Sequence, residues 1–261
     1  MDLGLKGKIA LVTSSSRGIG KAIALGLAAE GCQVFICSRH PENLAKTAKE
    51  IQEKTHQSVI PIQADLSNKE SIERLVTTIT EKTEKIDILV NNVAGPPFNR
   101  HYELTDKDWQ ESFELTFLSQ VIICEAFIPL MKKNHWGRII FVTSVAIKQP
   151  GILIANAQRA SVAVYAKTLS SELGEYNILV NTICPSFAIT DQYYKIADEV
   201  AKKRQISQAE VLEEWRQSVP LKRPASAEEV ANLAVFLASE KASYITGTCI
   251  QVDGGFVKSL F

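Results

Sequence analysis

The sequence is short of several things, and each shortage excludes something. It has no excess charge: 29 lysines and arginines balance 29 aspartates and glutamates. A chain without a basic surplus lacks the electrostatic footprint of a nucleic-acid binder or of a protein drawn to an anionic membrane. Cysteine is scarce and scattered. Cys32, Cys37, Cys124, Cys184 and Cys249 form no Cys-x-x-Cys pair. That excludes a zinc knuckle, and an odd, dispersed set fits a reducing compartment better than a disulfide framework. No apolar stretch reaches the ~20 residues that span a bilayer. The N-terminal residues 1–8 carry Asp2, Lys6 and Lys8, too polar for a secretory leader. The expectation is a cytoplasmic protein with no metal, no nucleic acid and no membrane among its partners.

What is present is an ordinary globular composition, 46% apolar and 22% charged over 261 residues. Disorder and fibrous repeats are excluded. At this size a core needs no metal or disulfide to hold it. The length suits a single α/β domain, 1–261, better than two.

Short β-rich apolar runs alternate with helical patterns. Residues 8–13, 33–37, 58–63, 87–90, 137–142, 178–183 and 248–252 read as strands. Residues 18–30, 41–54, 69–82, 105–133, 156–174 and 226–238 read as helices. Gly31 is a plausible stop for the first helix, Ser67 a candidate cap for the third and Thr105 for the fourth. The strands lack in/out alternation, as expected when helices cover both faces of a parallel sheet. The pattern is one doubly wound domain. Residues 190–220 break the rhythm as a charged, helix-prone insertion after the sixth strand. Ligands of open α/β sheets bind at the carboxyl ends of strands, so an insertion there is placed as a lid.

Thr13, Ser14, Ser15, Ser16, Arg17, Gly18, Ile19 and Gly20 join the first strand to the first helix. Gly18 and Gly20 allow close backbone approach, and a helix N-terminus offers unpaired N–H groups that suit a pyrophosphate. An NAD site places an acid at the end of the second strand, for the ribose 2′-hydroxyl. Here the chain reads Cys37, Ser38, Arg39, His40. Ser38 can donate to a phosphate oxygen, Arg39 can pair with a 2′-phosphate, and Arg17 can approach from the first loop. The expected cofactor is NADP(H).

Taken together, these segments resemble the short-chain dehydrogenase/reductase family, of the 3-oxoacyl-carrier-protein reductase kind, over nearly the whole chain. The 13–20 loop is similar to the family's Thr-Gly-x-x-x-Gly-x-Gly, with Ser14 at its first glycine. Asp65 and Leu66 resemble the pair that touches adenine. Asn91, Asn92, Val93, Ala94 and Gly95 resemble the Asn-Asn-Ala-Gly motif. Ser144 falls on the catalytic serine. Pro185 through Thr190 resembles the stretch whose threonine meets the nicotinamide carboxamide. The endings Ile245-Thr246-Gly247 and Val252-Asp253-Gly254-Gly255 match as well. The resemblance implies a Rossmann fold with a mostly seven-stranded parallel sheet. It implies hydride transfer to a carbonyl, a 3-oxoacyl-like group or an activated double bond, and assembly as a homotetramer or homodimer. The apolar tail 256–261 is a candidate interface segment.

The chain also departs from that pattern. None of its six tyrosines has Lys or Arg four residues on. Aligning 160–173 with the family helix puts Ala155 at the tyrosine and Arg159 at the lysine, and Thr116 at the supporting asparagine. Ser144 alone matches in kind. Arg159 keeps a positive charge that can bond ribose and steady an alkoxide. Lys148, Tyr193, Tyr194, His101 and Tyr102 are substitute proton donors, with Lys148 foremost. The site reading is therefore Ser144, Arg159 and Lys148 for catalysis. For the cofactor it is the 13–20 loop, Ser38, Arg39, Asp65, Leu66, Asn92, Val93, Ala94, Arg159, Pro185 and Thr190. A non-enzymatic NADP(H)-binding subunit or sensor, and a lyase or isomerase in the same pocket, stand as alternatives.

Overall fold

A computed structural model describes residues 2–93, 104–149 and 153–259. The strands are β1 (Ile9–Val12), β2 (Gln33–Ser38), β3 (Val59–Gln63), β4 (Ile88–Asn92), β5 (Gly137–Val142), β6 (Ile178–Pro185) and β7 (Cys249–Val252). All pair in parallel, in the order β3-β2-β1-β4-β5-β6-β7. The central strands β1, β5 and β6 are buried at every position, whereas the edge strand β3 alternates. That contrast is why the inner strands read as unbroken apolar runs.

Helices α1 (Gly18–Ala29), α2 (Pro41–Thr55) and α9 (Ala227–Ala238) belong to one face of the sheet. Helices α3 (Lys69–Thr80), α5 (Ser119–Asn134) and α6 (Leu153–Leu173) cover the other. Gly26 sets the distance between α1 and α9, because a Cβ there would lie 2.8 Å from Val235 Cγ2. Gly31, with φ of 88°, turns the chain after α1 as the sequence indicated.

Three expectations need correction. Asn68, not Ser67, caps α3: its side chain accepts from Ser71 N at 2.7 Å, while the Ser67 hydroxyl donates to Asp65 at 2.7 Å. The segment expected as one helix from Thr105 is α4 (Asp106–Phe113), a π turn (Glu114–Leu118) and α5. Thr105 does cap it, in a reciprocal box with Asp108. This run, Asp106–Asn134, also passes the length and apolarity test for a membrane span that the sequence reading said no stretch would pass. Its residues Ile123, Cys124, Phe127 and Met131 are buried against the sheet, as in a core helix.

The insertion after β6 forms α7 (Asp191–Arg204) and α8 (Gln208–Ser218). They share a small core of Ala197, Ala201 and Val211, and Arg204 binds Glu214 at 2.8 Å.

Candidate functional site

Between β1 and β4 the strand order reverses, and the loops at their carboxyl ends part. A cavity of about 770 Å³ opens there. It runs from the loop before α1, past the ends of β2 and β3, to the ends of β5 and β6 and under the lid helices.

The α1 end of the cavity is built for an anion. Arg17 is the N-cap of α1 but makes no side-chain capping bond, so the first-turn N–H groups are left for a ligand. Ser14, Ser16, Arg17, Gly18 and Ile19 line the wall here. Ser14 takes φ of 46°, the left-handed region that glycine enters freely and serine does not. Asn92 braces the strained turn, its Nδ2 donating to Thr13 O at 3.3 Å and Ser14 O at 3.2 Å. A Cβ on Gly20 would sit 2.6 Å from Ser14 O and 2.7 Å from that Nδ2. Gly20 is therefore needed to close the loop and is not on the wall.

Two more of the expected cofactor residues hold the loop from below. Thr13 is buried, and its Oγ1 donates to Asn92 O at 2.7 Å. Ser15 is also buried, donating to Val12 O at 2.7 Å and accepting from Cys37 N at 3.2 Å.

Ser38, Arg39, His40, Asp65 and Leu66 line the next part of the wall. No acid ends β2. The nearby carboxylate of Asp65 is occupied by Ser67, whose N and Oγ donate to it at 3.0 and 2.7 Å. Arg39 is exposed and faces the cavity. An uncapped helix N-terminus beside a free guanidinium fits a pyrophosphate with a further phosphate on the ribose.

At the far end Asn92, Val93, Ser144, Arg159, Pro185 and Thr190 line the same cavity. Ala94 lies outside the described residues, as do His101 and Tyr102. Ser144 caps a short 3₁₀ turn, accepting from Ala146 N at 3.1 Å. Burial lowers the Arg159 guanidinium to about 10, with the Cys184 thiol opposing the shift. Arg159 thus stays charged at neutral pH but holds its proton less tightly than the sequence reading assumed. Lys148, read as foremost substitute donor, is half-buried and not on the wall; its charge acts on the thiols of Cys184 and Cys249. Thr116 is buried in the π turn with no hydrogen-bond partner for its hydroxyl. Asn156 donates to Gln149 O at 3.1 Å.

The lid reaches the phosphate loop. Thr190 caps α7, accepting from Tyr193 N at 3.2 Å, and its methyl lies 3.2 Å from the Cβ position of Gly18. Arg17 meets Asp191 at 3.3 Å. Beneath the lid the wall is aromatic: Phe187, Tyr193, Trp215 and Phe256. Sequence reasoning named Tyr193 but missed the other three. Phe256 had been read with the tail as an interface residue; the structure puts it on the cavity wall. The aromatic spacing in 187–215 was the available signal, but only the packing of α8 and the tail brings those rings together.

Residues 13–257 match the family model described as Enoyl-(Acyl carrier protein) reductase. The NADPH-dependent reductase BacG of Bacillus subtilis strain 168 is 35% identical over 97% of this chain and 99% of its own length. The 3-oxoacyl-[acyl-carrier-protein] reductase FabG of Aquifex aeolicus strain VF5 is 34% identical over 98% of this chain and 99% of its own length. Among solved structures, L-sorbose reductase from Gluconobacter frateurii, complexed with NADPH and L-sorbose, superposes with a TM-score of 0.94 at 35% identity. That match covers 100% of both chains.

Proposed function

Because this chain belongs to the short-chain dehydrogenase/reductase family, we propose that it is an NADP(H)-dependent oxidoreductase that reduces a carbonyl group. The observation that carries the reading is one cavity joining three features: an uncapped α1 N-terminus, Arg39 at an acid-free β2 end, and a far wall that includes Ser144 and Arg159. The first two suit the phosphates of the cofactor, and the third suits a carbonyl oxygen. The relatives' names add support, since BacG is an NADPH-dependent reductase and FabG a 3-oxoacyl reductase. Activated double bonds are a second substrate type within this reading.

NADPH supplies the hydride when bound. The N–H groups of the first α1 turn hold the pyrophosphate, Ser38 and Arg39 the 2′-phosphate, and Arg159 the nicotinamide ribose. Ser144 orients the substrate oxygen, and the Arg159 charge stabilises the alkoxide as negative charge builds on it. In this reading Ala155 and Arg159 replace the family's Tyr-x-x-x-Lys, so the proton comes from elsewhere. Tyr193 is the donor we favour over Lys148. It is the one phenol on the described cavity wall, and among the described residues its hydroxyl has no hydrogen-bond partner. Burial raises its pKa, so it is protonated at neutral pH and able to give that proton to an alkoxide.

The test is NADPH oxidation with a panel of ketones, 3-oxoacyl thioesters and enones, alongside NADPH and NADH fluorescence titrations. Turnover with preference for NADPH supports the reading. Removing only the phenolic oxygen, Tyr193→Phe, lowers kcat by about 10²–10⁴ if Tyr193 is the donor. Tight NADPH binding with no turnover across the panel favours the second reading, a cofactor-binding subunit or sensor, for which the missing Tyr-x-x-x-Lys speaks. We also propose a homodimer or homotetramer, supported by exposed Phe113 and Val164 on the outer faces of α4 and α6. A stable monomer in sedimentation would contradict it.

A further inference from the structure

Resting on that reading, we propose that the substrate is a neutral ketone carrying a flat apolar ring, received by a four-ring box under the lid. The box is assembled from four separate pieces of chain. Phe187 comes from the loop after β6, Tyr193 from α7, Trp215 from α8 and Phe256 from the segment after β7. Phe187 and Trp215 stack at 5.0 Å with 17° between their planes. Phe256 meets Phe187 edge-on at 5.1 Å, and Tyr193 meets Trp215 at 5.4 Å and Phe187 at 6.3 Å.

All four rings lie on the cavity wall, and Phe187, Trp215 and Phe256 are only half-buried. Phe187 and Trp215 already cover one face of each other, so the cavity meets their remaining surface and the other two rings; these gain when an apolar surface covers them, and rings prefer offset or edge-to-face partners. Ile196 and Val200 extend the same wall without adding a polar group. The polar side chains beside it are few. Among the described residues Ser144 and Arg159 are committed to the reacting oxygen, the Tyr193 hydroxyl to the proton and Thr190 to the cap of α7, which leaves Ser186 and Gln192. Asp191, the only carboxylate among the described residues of the lid part of the wall, is paired with Arg17. A polyol would strip water from several hydroxyls here and find few free partners among the described residues, at a cost that a ring-bearing ketone avoids. Among the described residues an anionic substrate would meet a single cation, Arg159, deep in the pocket.

Calorimetric titration tests this without relying on turnover. The probes are 2-acetonaphthone, L-sorbose and a short aliphatic 3-oxoacyl thioester, each added to the protein loaded with NADP+, which has no hydride to give, and to the protein alone. The aromatic ketone is expected to bind roughly ten-fold or more tightly than either competitor. Trp215→Ala is expected to weaken it roughly ten-fold, with Trp215→Phe nearly unchanged and NADPH affinity kept in both. Should Trp215→Ala fail to fold by circular dichroism, Phe256→Leu in the C-terminal segment reads the same effect. Equal or tighter binding of L-sorbose or the thioester, or an aromatic affinity untouched by folded Trp215→Ala or Phe256→Leu, overturns the box. Loss of NADPH binding in the wild type is a different outcome: it removes the reductase reading, while the naphthyl titration of the protein alone still decides the box.

Discussion

Arg17 in the phosphate loop and Asp191 at the start of α7 approach to 3.3 Å, joining the first crossover to the lid across 174 residues of sequence. Both side chains are exposed, so the pair contributes little to stability, about 0–1 kcal/mol. Its consequence is competition, because the carboxylate holds the guanidinium that a cofactor phosphate would use. Asp191→Asn is expected to leave the melting temperature unchanged and to tighten NADPH binding up to about five-fold, an effect that fades in salt. A fluorescence titration at low and high ionic strength measures it. Weaker binding in the variant would mean that the pair instead latches the lid over the cofactor.

Gly20 makes a sharper prediction. The nearest atom to an added Cβ is the backbone oxygen of Ser14 at 2.6 Å, which cannot move without disturbing the strained turn at Ser14. Gly20→Ala is expected to cost about 1–3 kcal/mol of stability. It should weaken NADPH binding as well, because the loop and the α1 N-terminus shift together. Denaturant midpoints and cofactor titrations check the two effects separately.

The 2′-phosphate assignment rests on Arg39. Arg39→Asp replaces attraction by repulsion, and a charge-assisted hydrogen bond is worth about 1.5–3 kcal/mol. NADPH affinity should fall at least ~10–100-fold while NADH affinity holds or improves. An unchanged preference for NADPH would move that role to Arg17 or Ser38.

Cys184 and Cys249 offer a pH-dependent signature outside the cofactor site. Hydrogen bonding from the Cys184 thiol, joined by Thr182 and the charges of Lys148 and Lys167, holds the Cys249 thiol below the ordinary thiol range against the opposing effect of burial. Cys32, Cys37 and Cys124 are pushed up to about 12, chiefly by burial. Only the thiolate is alkylated, and it forms above the pKa. Iodoacetamide is therefore expected to label Cys249 alone in the native protein. The rate should level off at a lower pH than that of an ordinary thiol, which is still climbing at about pH 8. Mass spectrometry of the labelled peptide, with Cys249→Ser as control, decides it.

The double variant Ala155→Tyr with Arg159→Lys tests the proposal that the proton route differs from the family's. If the rest of the pocket follows the family, it should gain about 10²–10⁴ in kcat for simple ketones. A gain in the double variant but not in either single one would show that the phenol needs the lysine. No gain would mean that the substrate or the wall around it has been reshaped.

The fold was legible in the sequence because its signals are local. Continuous apolar runs such as 137–142 and 178–183 sit on the strands β5 and β6, and Thr105 begins α4 as its side chain requires. The capping of α3 was misread by one residue, since Ser67 and Asn68 are both competent caps and only the Asp65 turn decides between them. The π turn at Glu114–Leu118 left no mark in the hydrophobic pattern, because one inserted residue per helix shifts the period too little to detect. Of the cofactor residues, Thr13, Ser15 and Gly20 were recognised as belonging to the loop, but their role is to shape it from beneath.

By itself the sequence determined the parallel sheet, the Gly-x-Gly loop before α1, the acid-free end of β2 and the absence of Tyr-x-x-x-Lys. Each of these is written within a few neighbouring residues. Only the tertiary structure decided that Lys148 stays off the cavity wall, that Arg17 pairs with the lid, and that Phe187, Tyr193, Trp215 and Phe256 come together. Those outcomes depend on contacts between segments dozens of residues apart. Side-chain direction there is set by packing, which no local pattern encodes.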